Sequence, residues 1–283
     1  KLIFLDFRDA TGIVQGVVLP GSGAKENAEK VRPEWVVEVK GKVNERPEKN
    51  KVADKVNGTI ELEILEIAIL SPAIEAPFTL DAEINIDTRL DYLPYTLRSK
   101  ESQAVFKVQA EIIKAYRNFL NEKGFTEFQA PKIIGDDAEG GAGVFDVPYF
   151  NNKTAHLATS PQFYKQIMVG IFEKVFCTGN VFRAEKHSTS RHINEYTSLD
   201  AEMGFIKDHR DLMDLETELM KSIVAHLKTT SEKEFKLLNA EFPEIGEKIP
   251  TLKLKEAQEI IFKETARDNR QEPDLEPEDE RFL

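Results

Sequence analysis

Cysteine is almost missing: Cys177 is the one thiol in 283 residues. No internal disulfide framework can therefore hold the chain, and the composition suits a reducing compartment. Long apolar runs are missing too. A membrane-crossing helix needs about 20 consecutive apolar residues, and nothing here approaches that length. The N-terminus shows no basic stretch followed by an apolar one, the pattern of an export leader, and a cytoplasmic location is expected. Basic charge is in deficit, with 38 Lys and Arg against 50 Asp and Glu and a net charge of −12. Summed over the surface, that balance disfavours a polyanionic partner, because phosphate binding needs Lys and Arg. A global sum does not forbid a local basic face. Lys40, Lys42, Arg46, Lys49, Lys51 and Lys55 crowd one segment, with Glu45, Glu48 and Asp54 between them.

What is present is enough for two domains, at roughly 100–200 residues each. Lys1–Arg8, Gly12–Val18, Trp35–Val43 and Thr59–Leu70 read as strands, the first two joined by a hairpin turn at Asp9-Ala10-Thr11-Gly12. Short strands without a long helix predict a small β-barrel of the oligonucleotide-binding (OB) kind over residues 1–71, with a sandwich fragment as the alternative on pattern alone. Pro72, Pro77 and Pro94 mark residues 72–100 as a hinge. In the third region, 101–283, Val105, Val108, Ile112, Tyr116 and Phe119 recur at helical spacing and predict a helix over Glu101–Lys123. Further helices are predicted at Gln162–Ile171 and Asp211–Leu227, and strands at Val175–Phe182 and Tyr196–Phe205. The stretch from Glu272 to Leu283, with six acidic residues and two prolines, reads as a connector. The predicted class is α+β.

The densest chemistry lies around residue 183. A strand ends in Phe182-Arg183-Ala184-Glu185, a polar loop follows, and a second strand returns from Glu195-Tyr196. Residues two apart on a strand share a face, so Arg183 and Glu185 project together. Arg can fork two phosphate oxygens, and Glu can accept from an amino-purine. On spacing alone, an exposed hairpin whose Arg and Glu pair with each other is equally consistent with these residues.

Phe182-Arg183-Ala184-Glu185, Thr189-Ser190-Arg191-His192, Glu195-Tyr196, Asp200 and Glu202-Met203 together resemble motif 2 of the class II aminoacyl-tRNA synthetases, in the aspartyl–asparaginyl–lysyl subgroup. Arg117-Asn118-Phe119-Leu120 through Gly124-Phe125-Thr126-Glu127 and Ala130-Pro131 resembles motif 1, the helix and strand of the dimer interface. Glu139-Gly140-Gly141-Ala142 is similar to the loop that closes over the amino acid. Ser160-Pro161-Gln162-Phe163-Tyr164-Lys165-Gln166 is similar to the aspartate pocket of the archaeal and eukaryotic aspartyl enzymes.

The resemblance implies a fold and a set of roles. The fold is an N-terminal OB barrel, its first strand missing, and a catalytic domain built on an antiparallel sheet flanked by helices. The activity is aspartate–tRNA ligation with ATP and Mg2+, on aspartate tRNA and possibly asparagine tRNA, by a homodimer meeting at Pro131. Arg183 would be the catalytic residue, holding the α-phosphate. Glu185, Arg191, His192 and Tyr196 would complete the ATP site. Glu139, Gln162, Lys165 and Asp200 would hold aspartate. The spacing of three between Gln162 and Lys165 puts them on one helix face, and a fixed ammonium prefers a carboxylate to a neutral amide. Phe4, Gln15 and Glu63 would contact the tRNA anticodon, the aromatic by stacking and the other two at base edges. An asparaginyl enzyme and a non-catalytic RNA-binding relative are the alternatives, with Lys165 against the first and the intact Arg183, Glu185 and Lys165 against the second. One departure stands out. No Gly-x-Gly-x-x-x-Arg pattern follows motif 2, so the third class II motif and part of the metal-holding carboxylates are expected to lie outside these residues, and the fragment by itself is expected to be inactive.

Overall fold

A computed structural model describes residues 1–53, 56–136, 143–185 and 193–283. They form two compact units, Lys1–Arg98 and Ser99–Leu283.

The first unit begins with β1 (Ile3–Arg8) and β2 (Ile13–Val18), an antiparallel hairpin. Its turn is closed by the Asp9 carboxylate, which accepts from the Thr11 hydroxyl, the Thr11 amide and the Gly12 amide; these bonds hold the Asp9 carboxyl below its ordinary range. The alternation of β1 sends Ile3, Leu5 and Phe7 into a core of Val18, Ala24, Ala28, Ile64 and Ile67, and turns Phe4, Asp6 and Arg8 outward. Gly16 is obligatory here, since a Cβ would stand 2.4 Å from the Phe7 ring. Helix α1 (Lys25–Lys30) follows, then β3 (Val36–Glu45) and β4 (Ile60–Ser71). The sheet order is β1-β2-β4-β3, with β2 and β4 parallel and the other pairs antiparallel. Among the described residues β1 and β3 are the sheet's two edges, so the four strands form an open sheet of the OB-fold domain and not a closed barrel.

Residues 72–98 are more ordered than their prolines predict. They carry α2 (Ile86–Asp91), capped by the Asn85 side chain, and α3 (Leu93–Thr96). Trp35 Nε1 donates to the Ala73 carbonyl at 3.0 Å, and Glu34 takes Arg8 at 2.6 Å and Arg98 at 3.1 Å. The segment thus belongs to the first compact unit.

In the second unit α4 (Lys100–Glu122) starts at a Ser99 cap and ends before Gly124, whose φ of +80° suits a residue without a side chain. After it come β5 (Thr126–Glu127), β6 (Ile133–Ile134), β7 (Asp146–Tyr149), β8 (Lys153–Leu157), α5 (Gln162–Phe172), β9 (Lys174–Phe182), β10 (Glu195–Met203) and α6 (Arg210–Thr230). The central sheet runs β10-β9-β5, and a second small sheet runs β6-β8-β7. The expectation of an antiparallel sheet needs correction at β5. It lies parallel to β9, as a crossover through the small sheet and α5 allows, so the sheet is mixed.

The central sheet is sandwiched. Phe176 points to one side and packs with Tyr116, Phe119, Leu120 and Phe125, against which Leu215 and Leu219 of α6 close. Val175 and Cys177 serve the other side with Phe128, Tyr164 and Met168. Tyr116 and Phe119 are therefore consumed inside this chain. Of the interface expected around motif 1, Pro131 is exposed.

The remaining helices are α7 (Glu232–Leu237), α8 (Leu254–Thr265) and α9 (Pro277–Phe282). The acidic stretch 272–283 is not a bare connector. Asp279 is 1% exposed, accepts from Asn269 Nδ2 at 2.8 Å and from the Glu276 amide at 3.0 Å, and pairs with Arg267. Burial works to raise its pKa, but these partners outweigh it and hold the carboxyl below its ordinary value. One acid out of six was recruited as a cap and a buried ion partner, which composition cannot reveal.

The two-sided core makes a stability forecast. Phe176→Ala removes the ring that joins α4, α6 and β9, and chemical denaturation should show a loss of about 3–5 kcal/mol.

Candidate active site

The face of the sheet that carries Cys177 also carries the polar constellation. In the β9–β10 register Tyr196 lies opposite Val181, Ser198 opposite Gly179, Asp200 opposite Cys177 and Glu202 opposite Val175. The period of two puts Tyr196, Ser198, Asp200 and Glu202 on one side, beneath α5. The first turn of α5 supplies the cation. Ser160 Oγ accepts from the Gln162 amide at 3.0 Å, and the Lys165 amide donates to the Pro161 carbonyl at 2.9 Å. Lys165, 8% exposed, is thereby aimed at the strands. Its Nζ donates to Asp200 Oδ1 at 3.1 Å and stands 3.7 Å from Glu202 Oε2. Ser198 donates to the other Asp200 oxygen.

At the end of β9 the backbone fixes the arginine. The Arg183 amide donates to the Asn194 carbonyl at 2.9 Å, and the Asn194 side chain returns bonds to the Arg183 and Glu185 carbonyls. The Arg183 guanidinium lies 5.8 Å from the Tyr196 ring centroid, within cation–π range. Ala184 donates to the Gly143 carbonyl at 2.7 Å; a Cβ on Gly143 would stand 2.7 Å from the Ala184 oxygen, so glycine is required at that crossing. A backbone relay ties the remaining pieces together. Ala158 donates to the Lys132 carbonyl, and Phe182 donates to the Ala158 carbonyl.

Several expected residues are brought together in two pairs, Lys165 with Asp200 and Arg183 with Tyr196, with Gln162 half-buried at the start of α5 and Glu185 half-buried two residues after Arg183. Glu139, Arg191 and His192 lie outside the described residues. Ser198 and Glu202 enter the site although sequence reasoning gave them no role; their spacing of two from Asp200 was the available signal. In the first unit Phe4, Gln15 and Glu63 also share a face. Phe4 lies opposite Val17, Val17 lies beside Glu63, and Gln15 precedes Val17 by two. Phe4 is 56% exposed, and Glu63 accepts from Asn44 at 2.9 Å. The first unit also holds a cleft of about 830 Å3 between the edges β1 and β3, lined by Phe7, Arg8, Glu34 and Trp35 among others. It is remote in sequence from the polar constellation, which is identified here by its side chains and not by concavity. Among the described residues no three Asp, Glu, His or Cys side chains converge to hold a metal ion, and no helix is long and apolar enough to cross a membrane.

Comparison with known proteins gives this constellation a context. Residues 85–283 match the family of tRNA synthetases class II (D, K and N), and residues 1–70 match the OB-fold nucleic acid binding domain. The chain belongs to the class II tRNA synthetases. An aspartate–tRNA(Asp/Asn) ligase of Deinococcus radiodurans is 43% identical over 284 residues, covering 99% of this chain and 62% of the relative. The enzyme of that name from Thermus thermophilus is 41% identical, covering 100% and 64%. The asparaginyl-tRNA synthetase of Pyrococcus horikoshii, solved with asparaginyl-adenylate, superposes with a TM-score of 0.87 at 29% identity, over 100% of this chain and 64% of that one. This synthetase chain thus spans somewhat under two thirds of the length of these relatives.

Cys177 offers a check on the packing of the site face. Burial and the neighbouring Asp200 charge push its thiol up to about 11, against the smaller opposing pull of Lys132 and Lys165. At pH 8 only about one part in a thousand is then thiolate. Iodoacetamide should label the native protein negligibly within an hour and the denatured protein within minutes, as read by mass spectrometry.

Proposed function

We propose that the whole protein is an aspartate–tRNA ligase, activating aspartate with ATP and transferring it to tRNA. The observation that carries this reading is the buried Lys165–Asp200 pair, with Arg183 within cation–π range of Tyr196 on the same two strands. A substrate amino acid brings an ammonium group, which Asp200 can accept, and a side-chain carboxylate, which Lys165 can meet. Each group is held ready by the other, so binding exchanges one ion pair for two. Asparagine offers a neutral amide instead and leaves the lysine poorly paired. The names of the Deinococcus and Thermus relatives support aspartate. The likeness to the Pyrococcus structure supports asparagine as a second reading, and Lys165 weighs against it.

In the first step an aspartate α-carboxylate oxygen attacks the α-phosphorus of ATP, and pyrophosphate leaves. No protein nucleophile takes part. Arg183 is placed to neutralise charge growing on the α-phosphate oxygens, and the Tyr196 ring beside it offers a face for adenine. Glu185 is the acceptor for the adenine amino group. In the second step the terminal adenosine hydroxyl of tRNA takes the aspartyl group from the adenylate. Mg2+ would enter with the nucleotide. In the first unit, Phe4 stacks on an anticodon base while Gln15 and Glu63 meet base edges from the same face. The enzyme works in the cytoplasm as a homodimer, and the exposed Pro131 lies at the two-fold interface.

ATP–pyrophosphate exchange by the full-length protein tests the assignment. Aspartate should support exchange well above asparagine. Arg183→Ala should lower the rate about 10²–10³-fold with little change in melting temperature. Equal exchange with the two amino acids would sink the aspartate assignment.

A further inference from the structure

The search for charge that the site does not yet use leads to Lys132. Its carbonyl is fixed by the Ala158 amide, and its side chain reaches across the central sheet to Gly179. A Cβ at Gly179 would stand 3.2 Å from Lys132 Nζ and 3.3 Å from its Cε, so the amine lies directly on the strand at that position. Gly179 is opposite Ser198, which in turn holds Asp200. The Lys132 amine is therefore on the same face as Lys165, Asp200 and Glu202. It also acts on the Cys177 thiol, one strand position away from Gly179 on that face.

The two lysines differ in how their charge is met. Lys165 already faces two carboxylates, Asp200 at 3.1 Å and Glu202 at 3.7 Å. The Lys132 amine is half-buried, and among the described residues it forms no hydrogen bond and no ion pair. A half-buried ammonium without a counter-charge is costly, and the cost is relieved by an anion that binds beside it.

We infer that Lys132 is a second specificity-determining cation of the amino-acid site, supplying a positive charge that no described carboxylate pairs with and that makes the site prefer a dicarboxylate amino acid. This rests on the proposed aspartate reading and deepens it. With Lys165 on α5 partly neutralised by the two carboxylates of β10, one lysine cannot by itself set a strong preference for a side-chain carboxylate. Lys132, Lys165 and Arg183 against Asp200 and Glu202 leave one positive charge in excess, so the substrate ammonium takes up Asp200 while its two carboxylates meet the lysines and Arg183. Gly179 leaves room for the arrangement, because a Cβ there would crowd the end of the Lys132 side chain at 3.2–3.3 Å.

The test uses the full-length protein, with wild type, Lys132→Met and Lys132→Arg. Methionine keeps the stem over Gly179 and removes the charge; arginine keeps the charge. In ATP–pyrophosphate exchange, Lys132→Met should raise KM for aspartate roughly 10–100-fold, the range expected for losing one charged contact. KM for ATP should stay within about twofold, as a substrate-specific loss requires. Thermal melting should be unchanged, and Lys132→Arg should recover most of the affinity. An unaltered KM for aspartate in Lys132→Met overturns the inference while leaving the aspartate reading intact. So does a joint rise in both KM values with a lower melting temperature, which marks a structural role. If the wild type fails to exchange with aspartate at all, the aspartate reading itself falls, and this inference with it.

Discussion

The catalytic unit is organised around one buried ion pair. Lys165 on α5 and Asp200 on β10 belong to elements that approach each other only because the sheet buries Val175 and Cys177 under that helix. Once the helix is seated, a lysine in its first turn has nowhere to go but onto the strand. Either charge alone at that depth would cost several kcal/mol, whereas together, with Ser198 and Glu202 taking the remaining valences, they are tolerated. Ion pairs of this kind are poor sources of net stability. On the proposed reading their value lies in presenting two opposite charges at fixed separation to an amino acid with opposite charges of its own.

The other face of the sheet explains why the fixed separation holds. Phe176 sits with Tyr116, Phe119 and Leu120 on α4 and closes against α6, so β9 is clamped from both sides. The site thus rests on a strand that cannot shift without opening two cores. Arg183 extends this logic beyond the end of β9: its position follows from the Asn194 bonds on one side and from the Gly143–Ala184 crossing on the other.

Much of this was legible in the residues. The alternation in β1, the helical stripe of α4 and the paired strands β9 and β10 follow from periodicities of 2 and 3.6, and their observed bounds lie within two residues of the expected ones. Shorter elements left no such trace. Helix α1 buries only Ala28, so no stripe marks it, and α2 and α3 are hidden among prolines whose usual meaning is a linker. α9 is disguised by its acids. At the site, the types of Arg183, Lys165 and Asp200 could be picked out by their resemblance to a family pattern. That Lys165 and Asp200 touch could not, because 35 residues separate them and nothing local records the approach. Lys132 is quieter still. Its significance depends on a glycine on another strand.

The backbone relay from Lys132 through Ala158 to Phe182 has a consequence for how the protein is made. Every part of the site is held by a segment distant in the chain, and β10 contributes the last of them. A ribosome extending this polypeptide will have released α4 and the small sheet long before Asp200 exists to meet Lys165. Until then the buried lysine of α5 has no counter-charge on β10, although the apolar side chains of α5 and β9 can already pack on each other. Contacts of such long range close slowly. The nascent chain therefore passes through a stage in which Phe176 and Val175 already have their N-terminal partners, while Leu215 and Leu219 have yet to close over Phe176 and Asp200 has yet to meet Lys165.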